Sequence, residues 1–312
     1  MIKNLKTLFL KKDYKLLLKL ANRTNLTEWE KYYIGLSYLE VGMPDECIEF
    51  LTPLLYDSNK FLLTSRYLGM AYYMLGKYDA SYQYFKRHIE NTQEQQNLNK
   101  WIKLLDYSGQ YLHYDYRDLS FHFLDELCQT SIHDFYQSYC NAYCRLQNEF
   151  NISMGKKIDV YIYSSNKDRL GNTLCYAVPS FNMIHTNYKV NGGHELAHIF
   201  LHHLHEYMVK TRFIDEGFAT FFDKEQFFDP EVVKSSLKKN IDVIFYWKNY
   251  DKFVQSEVNL VAGQFMAFCW SIYGKKRIIQ FLKNQTIKNA YKTFGISFRL
   301  NIQKFNKMVS VN

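Results

Sequence analysis

The apolar positions of this chain follow two periods. Between Phe121 and Phe150 they recur at helical spacing: Phe123, Leu124, Leu127, Ile132, Phe135, Tyr136, Tyr139, Tyr143 and Leu146. That period predicts one long helix or two. After a turn at 151–157, Ile158-Asp159-Val160-Tyr161-Ile162-Tyr163 switches to strict alternation, which predicts a strand. Residues 164–172 are polar and read as a loop or short helix. Cys175–Val178 and Met183–Thr186 are shorter strand candidates, with Pro179-Ser180-Phe181-Asn182 as the turn between them. The longest apolar run, Val258 to Tyr273, is interrupted by Asn259, Gln264 and Ser271. It is below membrane-spanning length and reads as a buried helix. The expected fold is mostly α with a small sheet, in the α+β class.

The first third of the chain repeats. Ile34-Gly35-x-x-Tyr38 returns as Leu68-Gly69-x-x-Tyr72, Gly42 returns as Gly76, Leu51 as Phe85 and Cys47 as Ser81, each 34 positions on. This is the period of the tetratricopeptide repeat, a helix–turn–helix unit. Gly35 and Gly69 let the paired helix come close, Tyr38 and Tyr72 fill the groove between the helices, and Gly42 and Gly76 sit at the turns. Two repeats cannot bury a continuous core alone. Residues 1–28 read as a degenerate first repeat and residues 95–114 as a closing amphipathic helix. The chain then divides into a repeat domain, 1–115, whose concave face suits a peptide or protein partner, and a second domain, 116–312. Asp115-Tyr116-Arg117-Asp118-Leu119 is the expected junction.

Composition narrows the function. Gly and Pro are few, at 13 and 4, which favours helices. Net charge is +8, but Lys and Arg are spread along the sequence, so a nucleic-acid footprint is not expected. The six cysteines form no C-x-x-C and no disulfide-dense pattern, which suggests free thiols in a reducing compartment. The apolar run Leu8-Phe9-Leu10 is too short for a signal-peptide core. With no membrane span expected either, the sequence suggests a cytoplasmic protein.

The candidate chemistry lies in Gly192-Gly193-His194-Glu195-Leu196-Ala197-His198. On a helix, the four-residue step puts His194 and His198 on one face, where two imidazoles can hold one Zn²⁺. Glu195 lies beside them as a general base for water. Catalytic zinc keeps three protein ligands, so a third is needed. His202 lies about 12 Å along the axis from His194, too far to share one ion. Leu201 and Leu204 stand where a metzincin would have Gly and His. Glu216 remains, in Phe213-Ile214-Asp215-Glu216-Gly217-Phe218-Ala219-Thr220-Phe221-Phe222, where a second helix carries small residues at 217 and 219 and apolar ones at 214, 218, 221 and 222.

His194-Glu195-x-x-His198 followed by Glu216-Gly217-x-Ala219 resembles the gluzincin metallopeptidases, and more closely the peptidase-MA-like domain. That family similarly shows a strand, a short hairpin, the H-E-x-x-H helix, an E-G-x-A helix and an apolar helix ending in Tyr-Gly, here Tyr273-Gly274. The resemblance covers about 120–285. It implies that His194, His198 and Glu216 bind Zn²⁺ and that Glu195 activates water against a peptide bond. Asp223, or alternatively Asp215, would support a ligand histidine. The chain departs from the aminopeptidase pattern in two respects. Seventeen residues separate His198 from Glu216, one fewer than in the aminopeptidases, and there is no G-x-M-E-N motif. Asn259 falls where many relatives carry a tyrosine, so Tyr246, Tyr250 or Tyr273 would have to support the oxyanion. His202, His203 and His205 are expected at the surface. His185 is expected either facing the cleft or facing water on an edge strand. The implied function is zinc-dependent peptide-bond hydrolysis with a repeat module that recruits a peptide or protein. The alternative is a binding protein with a relic metallopeptidase domain.

Overall fold

Thr27 and Glu30 start the first long helix by capping each other. The Thr27 hydroxyl accepts from the Glu30 amide, and the Glu30 carboxylate accepts from the Thr27 amide at 2.9 Å. In this computed structural model, which describes residues 2–11, 13–56, 63–92, 112–123, 129–152, 154–163, 175–187, 192–204, 208–223 and 227–311, six helices come first. They are α1 (Ile2–Leu10), α2 (Tyr14–Leu18), α3 (Glu28–Glu40), α4 (Pro44–Leu51), α5 (Thr64–Met74) and α6 (Tyr78–Thr92).

The hairpins α3–α4 and α5–α6 are built alike. Gly42 and Gly76 turn them at φ of 82° and 70°, a conformation glycine adopts without strain. A Cβ on Gly35 would lie 2.7 Å from the Leu51 side chain, and one on Gly69 would lie 2.7 Å from the Phe85 ring. Both positions therefore need glycine for helix contact. Tyr38 packs on Phe50 at 5.5 Å, and Tyr72 stacks on Tyr84 at 5.1 Å. The Ser81 hydroxyl donates to the Gly69 carbonyl at 2.8 Å, tying α6 to α5.

Helix was expected over 95–114. Residues 93–111 lie outside the described residues, and the rest is strand. β1 (Leu112–Tyr116) pairs antiparallel with β2 (Leu119–Phe123) across Arg117-Asp118, with Arg117 at φ 51°. Phe121 and Phe123, expected on a helix, therefore lie in β2. Over five residues an alternating apolar pattern can pass for a helical one. The helix proper is α7 (Gln129–Phe150). The other three strands stand where the sequence put them: β3 (Ile158–Tyr163) on the alternation, and β4 (Tyr176–Val178) and β5 (Met183–Asn187) on the two short candidates, with a 3-10 turn at Pro179–Phe181.

The sheet order is β1-β2-β3-β5-β4, parallel through the centre and antiparallel at both margins. One register row crosses all five strands as His113, His122, Tyr161, His185 and Tyr176. His122 stacks on Tyr161 at 4.6 Å, Tyr161 on His185 at 5.3 Å and His185 on Tyr176 at 4.8 Å. Because β4 pairs outside β5, His185 is not on an edge strand. It is buried, and its Nδ1 lies 3.0 Å from the Tyr163 hydroxyl, which replaces both positions expected from sequence.

Packing divides the chain into two compact units, Met1–Leu127 with Met154–Tyr188 and Cys128–Ser153 with Lys189–Asn312. The strands thus group with the N-terminal helices instead of with 116–312. The contacts explain this: the Tyr73 hydroxyl meets that of Tyr161 at 2.7 Å, and Tyr78 donates to Asp159 at 3.0 Å. Asp159 also takes Lys156 at 3.0 Å and His122 Nε2 at 2.8 Å.

The second unit is helical among the described residues. After α7 come α8 (Gly193–Leu204), α9 (Arg212–Asp223), α10 (Pro230–Leu237), α11 (Val243–Lys248), α12 (Gln255–Leu282), α13 (Ile287–Phe294) and α14 (Ser297–Val309). Phe213, Phe265, Phe281, Phe298 and Phe305 form much of its core. The backbone of α12 breaks at Gly274 (φ 70°), where the sequence placed its end, and then resumes as helix to Leu282. No helix among the described residues is long and apolar enough to cross a membrane.

Candidate metal centre

Three helices meet closely enough here that glycine is required at two crossings. A Cβ on Gly193, at the start of α8, would lie 2.6 Å from the Phe222 carbonyl oxygen of α9. A Cβ on Gly217 would lie 2.7 Å from the Ala262 carbonyl oxygen of α12. Arg145 of α7 donates to the Phe222 carbonyl at 2.5 Å, a cation at the C-terminal end of α9. Ile214, Phe218 and Phe222 anchor α9 in the core, so Asp215 and Glu216 face α8.

His194 and His198 fall one turn apart, their ring centres 5.0 Å from each other. Glu216 Oε2 lies 3.4 Å from His194 Nε2 and 4.0 Å from His198 Nε2. One ligand atom from each of the three residues can be chosen so that all lie within 4.8 Å. Two bonds of ~2.1 Å at a tetrahedral angle set their ligand atoms ~3.4 Å apart, so the residues present fit a zinc ion after a small closure. His198 Nδ1 lies 3.3 Å from Asp215 Oδ2, and Lys210 lies 3.4 Å from the other Asp215 oxygen. This carboxylate–histidine pair fixes the ring so that Nε2 faces Glu216. The carboxylate beside His198 is that of Asp215, the sequence's second choice, because it stands beside Glu216 where α9 meets α8.

The electrostatics are those of a cluster that favours positive charge. Burial opposes protonation of His198, but Asp215, Glu216 and Glu195 outweigh it, and its pKa lies above the ordinary imidazole value. Burial raises the Asp215 and Glu216 carboxyls, yet His198 with Lys210, and His194 with His198, bring both below the usual range. Glu195 is buried on α8.

His202 and His203 differ from the expectation of surface residues. Both are half-buried, and burial first, then repulsion from His203 and Lys210, pushes His202 down to about 3. His202 also lies outside the ligand group. His205 lies outside the described residues. Of the three tyrosines named from sequence, Tyr246 donates to Glu257 at 2.5 Å and Tyr273 accepts from Asn301 at 2.7 Å. Tyr250 is the one that reaches this site. It donates to Asn259 Oδ1 at 2.7 Å, and Asn259 Nδ2 donates to Glu216 Oε2 at 3.2 Å. Burial, followed by the Glu216 charge, pushes the Tyr250 phenol up to about 12. Asn259 stands where relatives of the resembled family carry a tyrosine, and its contact with Glu216 has no counterpart in the sequence pattern. The available signal was an amide on an apolar helix face, three residues before the Ala262 that Gly217 touches.

Comparisons with protein-family models, curated proteins and solved structures find no match.

Proposed function

We propose that this chain is a zinc-dependent peptidase of the gluzincin type, similar to the peptidase-MA-like domain. Its N-terminal hairpins would act as tetratricopeptide-like units that recruit a peptide or protein partner in the cytoplasm. The observation that carries the proposal is the grouping of His194, His198 and Glu216 within 4.8 Å, with Asp215 behind His198 and Glu195 buried in the same helix. His194, His198 and Glu216 would hold the ion. When bound, zinc supplies a Lewis acid that polarises a carbonyl and lowers the pKa of water towards ~7. Glu195 takes a proton from the attacking water and hands it to the departing amine nitrogen. Asp215 keeps the His198 ring in the ligand tautomer. The spread of the +8 charge gives no support to nucleic acid as the substrate.

The test pairs metal binding with turnover. Wild-type protein should bind one zinc and cleave peptides in a mixed peptide library read by mass spectrometry. Glu195→Gln should keep the zinc and lose cleavage by at least about 10²-fold, the lower end of what a positioned acid–base group contributes. Full turnover in Glu195→Gln would remove Glu195 from the mechanism. Zinc binding with no cleavage of any library member by wild type would favour a binding protein that retains the site.

A further inference from the structure

We infer that Asn259 and Tyr250 are positioning residues that hold the Glu216 carboxylate towards His194 and His198. This rests on the proposed metal centre. The Glu216 side chain is long and has rotamer freedom to lose on being fixed. The two histidines are set by their helix and, for His198, by Asp215. Glu216 is held by a side chain from another helix. Asn259 donates to Oε2 at 3.2 Å, and this is the same oxygen that lies 3.4 Å from His194 Nε2.

The orientation of the Asn259 amide is itself determined. Its oxygen accepts the Tyr250 hydroxyl proton at 2.7 Å, which leaves the NH₂ group to face Glu216. Tyr250 is buried, the Arg212 guanidinium lies over its ring at 4.9 Å, and Arg212 pairs with Asp251 at 2.6 Å. The relay runs Arg212, Tyr250, Asn259, Glu216, and it joins α9, the 3-10 turn Tyr250–Lys252 and α12. The first link is a cation over a ring, and the two that follow each have one donor and one acceptor. An aspartate at 259 would reverse the last link and set two carboxylates against each other. The Tyr250 proton is committed to Asn259, so the phenol acts through Glu216 and not on a substrate.

The test measures zinc affinity by chelator competition, and ligand geometry by the visible absorption of Co²⁺, on the full chain. The proteins are wild type, Asn259→Ala, Tyr250→Phe, Glu216→Ala and the Asn259→Ala/Glu216→Ala double variant. Asn259→Ala should weaken zinc by about 10- to 100-fold, the range for a hydrogen bond to a metal ligand, and should change the Co²⁺ spectrum. Tyr250→Phe should do the same more weakly, by about fivefold, as the loss of one hydrogen bond implies. In the Glu216→Ala background, Asn259→Ala should have no further effect, because its only route to the metal is gone. Should Asn259→Ala fail to fold, Tyr250→Phe carries the test through the same affinity and spectrum. Wild-type zinc affinity and an unchanged Co²⁺ spectrum in both variants overturn the relay. So does an equal loss with and without Glu216. A wild-type chain that binds no zinc overturns the metal centre itself, a separate outcome seen before any variant is made.

Discussion

Gly217 determines how closely α9 approaches α12, and it stands next to Glu216. Gly217→Ala would gain about 1 kcal/mol of helix propensity. Its Cβ would, however, lie 2.7 Å from the Ala262 carbonyl oxygen, which is backbone and cannot rotate away. Overpacking of this kind costs about 1–3 kcal/mol, so the clash wins. We expect a net loss of up to about 2 kcal/mol in denaturant unfolding, together with weaker zinc binding as Glu216 is displaced. Unchanged stability and affinity would show that the crossing can open freely. At this scale the sequence carried much of the site. His194 and His198 were legible as a pair because residues four apart on one helix share a face. Glu216 was legible because small residues announced a close helix beside it. Asn259 and Tyr250 were not, because their roles are hydrogen bonds to residues 43 and 9 positions away, which no local pattern encodes.

Asp159 ties β3 to its surroundings in the first unit. Burial disfavours its charge, but His122 and Lys156 outweigh that and hold the carboxyl below its usual pKa. Tyr78 adds a third hydrogen bond. In the unfolded chain an aspartate titrates near ~3.9, so the Asp159 contribution is complete above that pH. It is lost as pH falls through the lower folded value. We expect Asp159→Ala to cost about 3–5 kcal/mol at neutral pH, as breaking a buried pair does, and to flatten the acid side of the stability–pH curve. Denaturant midpoints measured down the acid range check both. Equal midpoints for wild type and variant at neutral pH would contradict this. The element itself, β3, was plain in the alternation of 158–163. β1 and β2 were misread because Phe121 and Phe123 join an apolar series that continues into α7. Only their pairing, Phe121 with Tyr114 and Phe123 with Leu112, distinguishes strand from helix.

At the scale of the whole molecule, the proposed ion is a ligand of the folded state alone. Such a ligand stabilises by RT ln(1 + [L]/Kd), about 2.7 kcal/mol at a hundred times Kd. Zinc should therefore raise the melting temperature of wild-type protein, and a chelator should reverse the rise. His194→Ala should show little of the rise. A melting curve indifferent to zinc in wild type would argue against a folded metal site. Grouping at this scale was the least legible part of the sequence. A boundary near 115 follows the end of the repeats, whereas the packing follows Tyr73 and Tyr78, whose contacts with Tyr161, Asp159 and Met183 join α5 and α6 to strands some 80 to 110 positions later. Such separations are invisible to any window moved along the chain.

The register row of the sheet places the Tyr161 ring face to face with His122 on one side and His185 on the other, at interplanar angles of 15° and 14°. Protons held over an aromatic face are shielded by its ring current. The imidazole carbon-bound protons of these two histidines should therefore resonate upfield of those of exposed histidines in a proton spectrum. They would form a native, label-free signature of whether β2, β3 and β5 are in register.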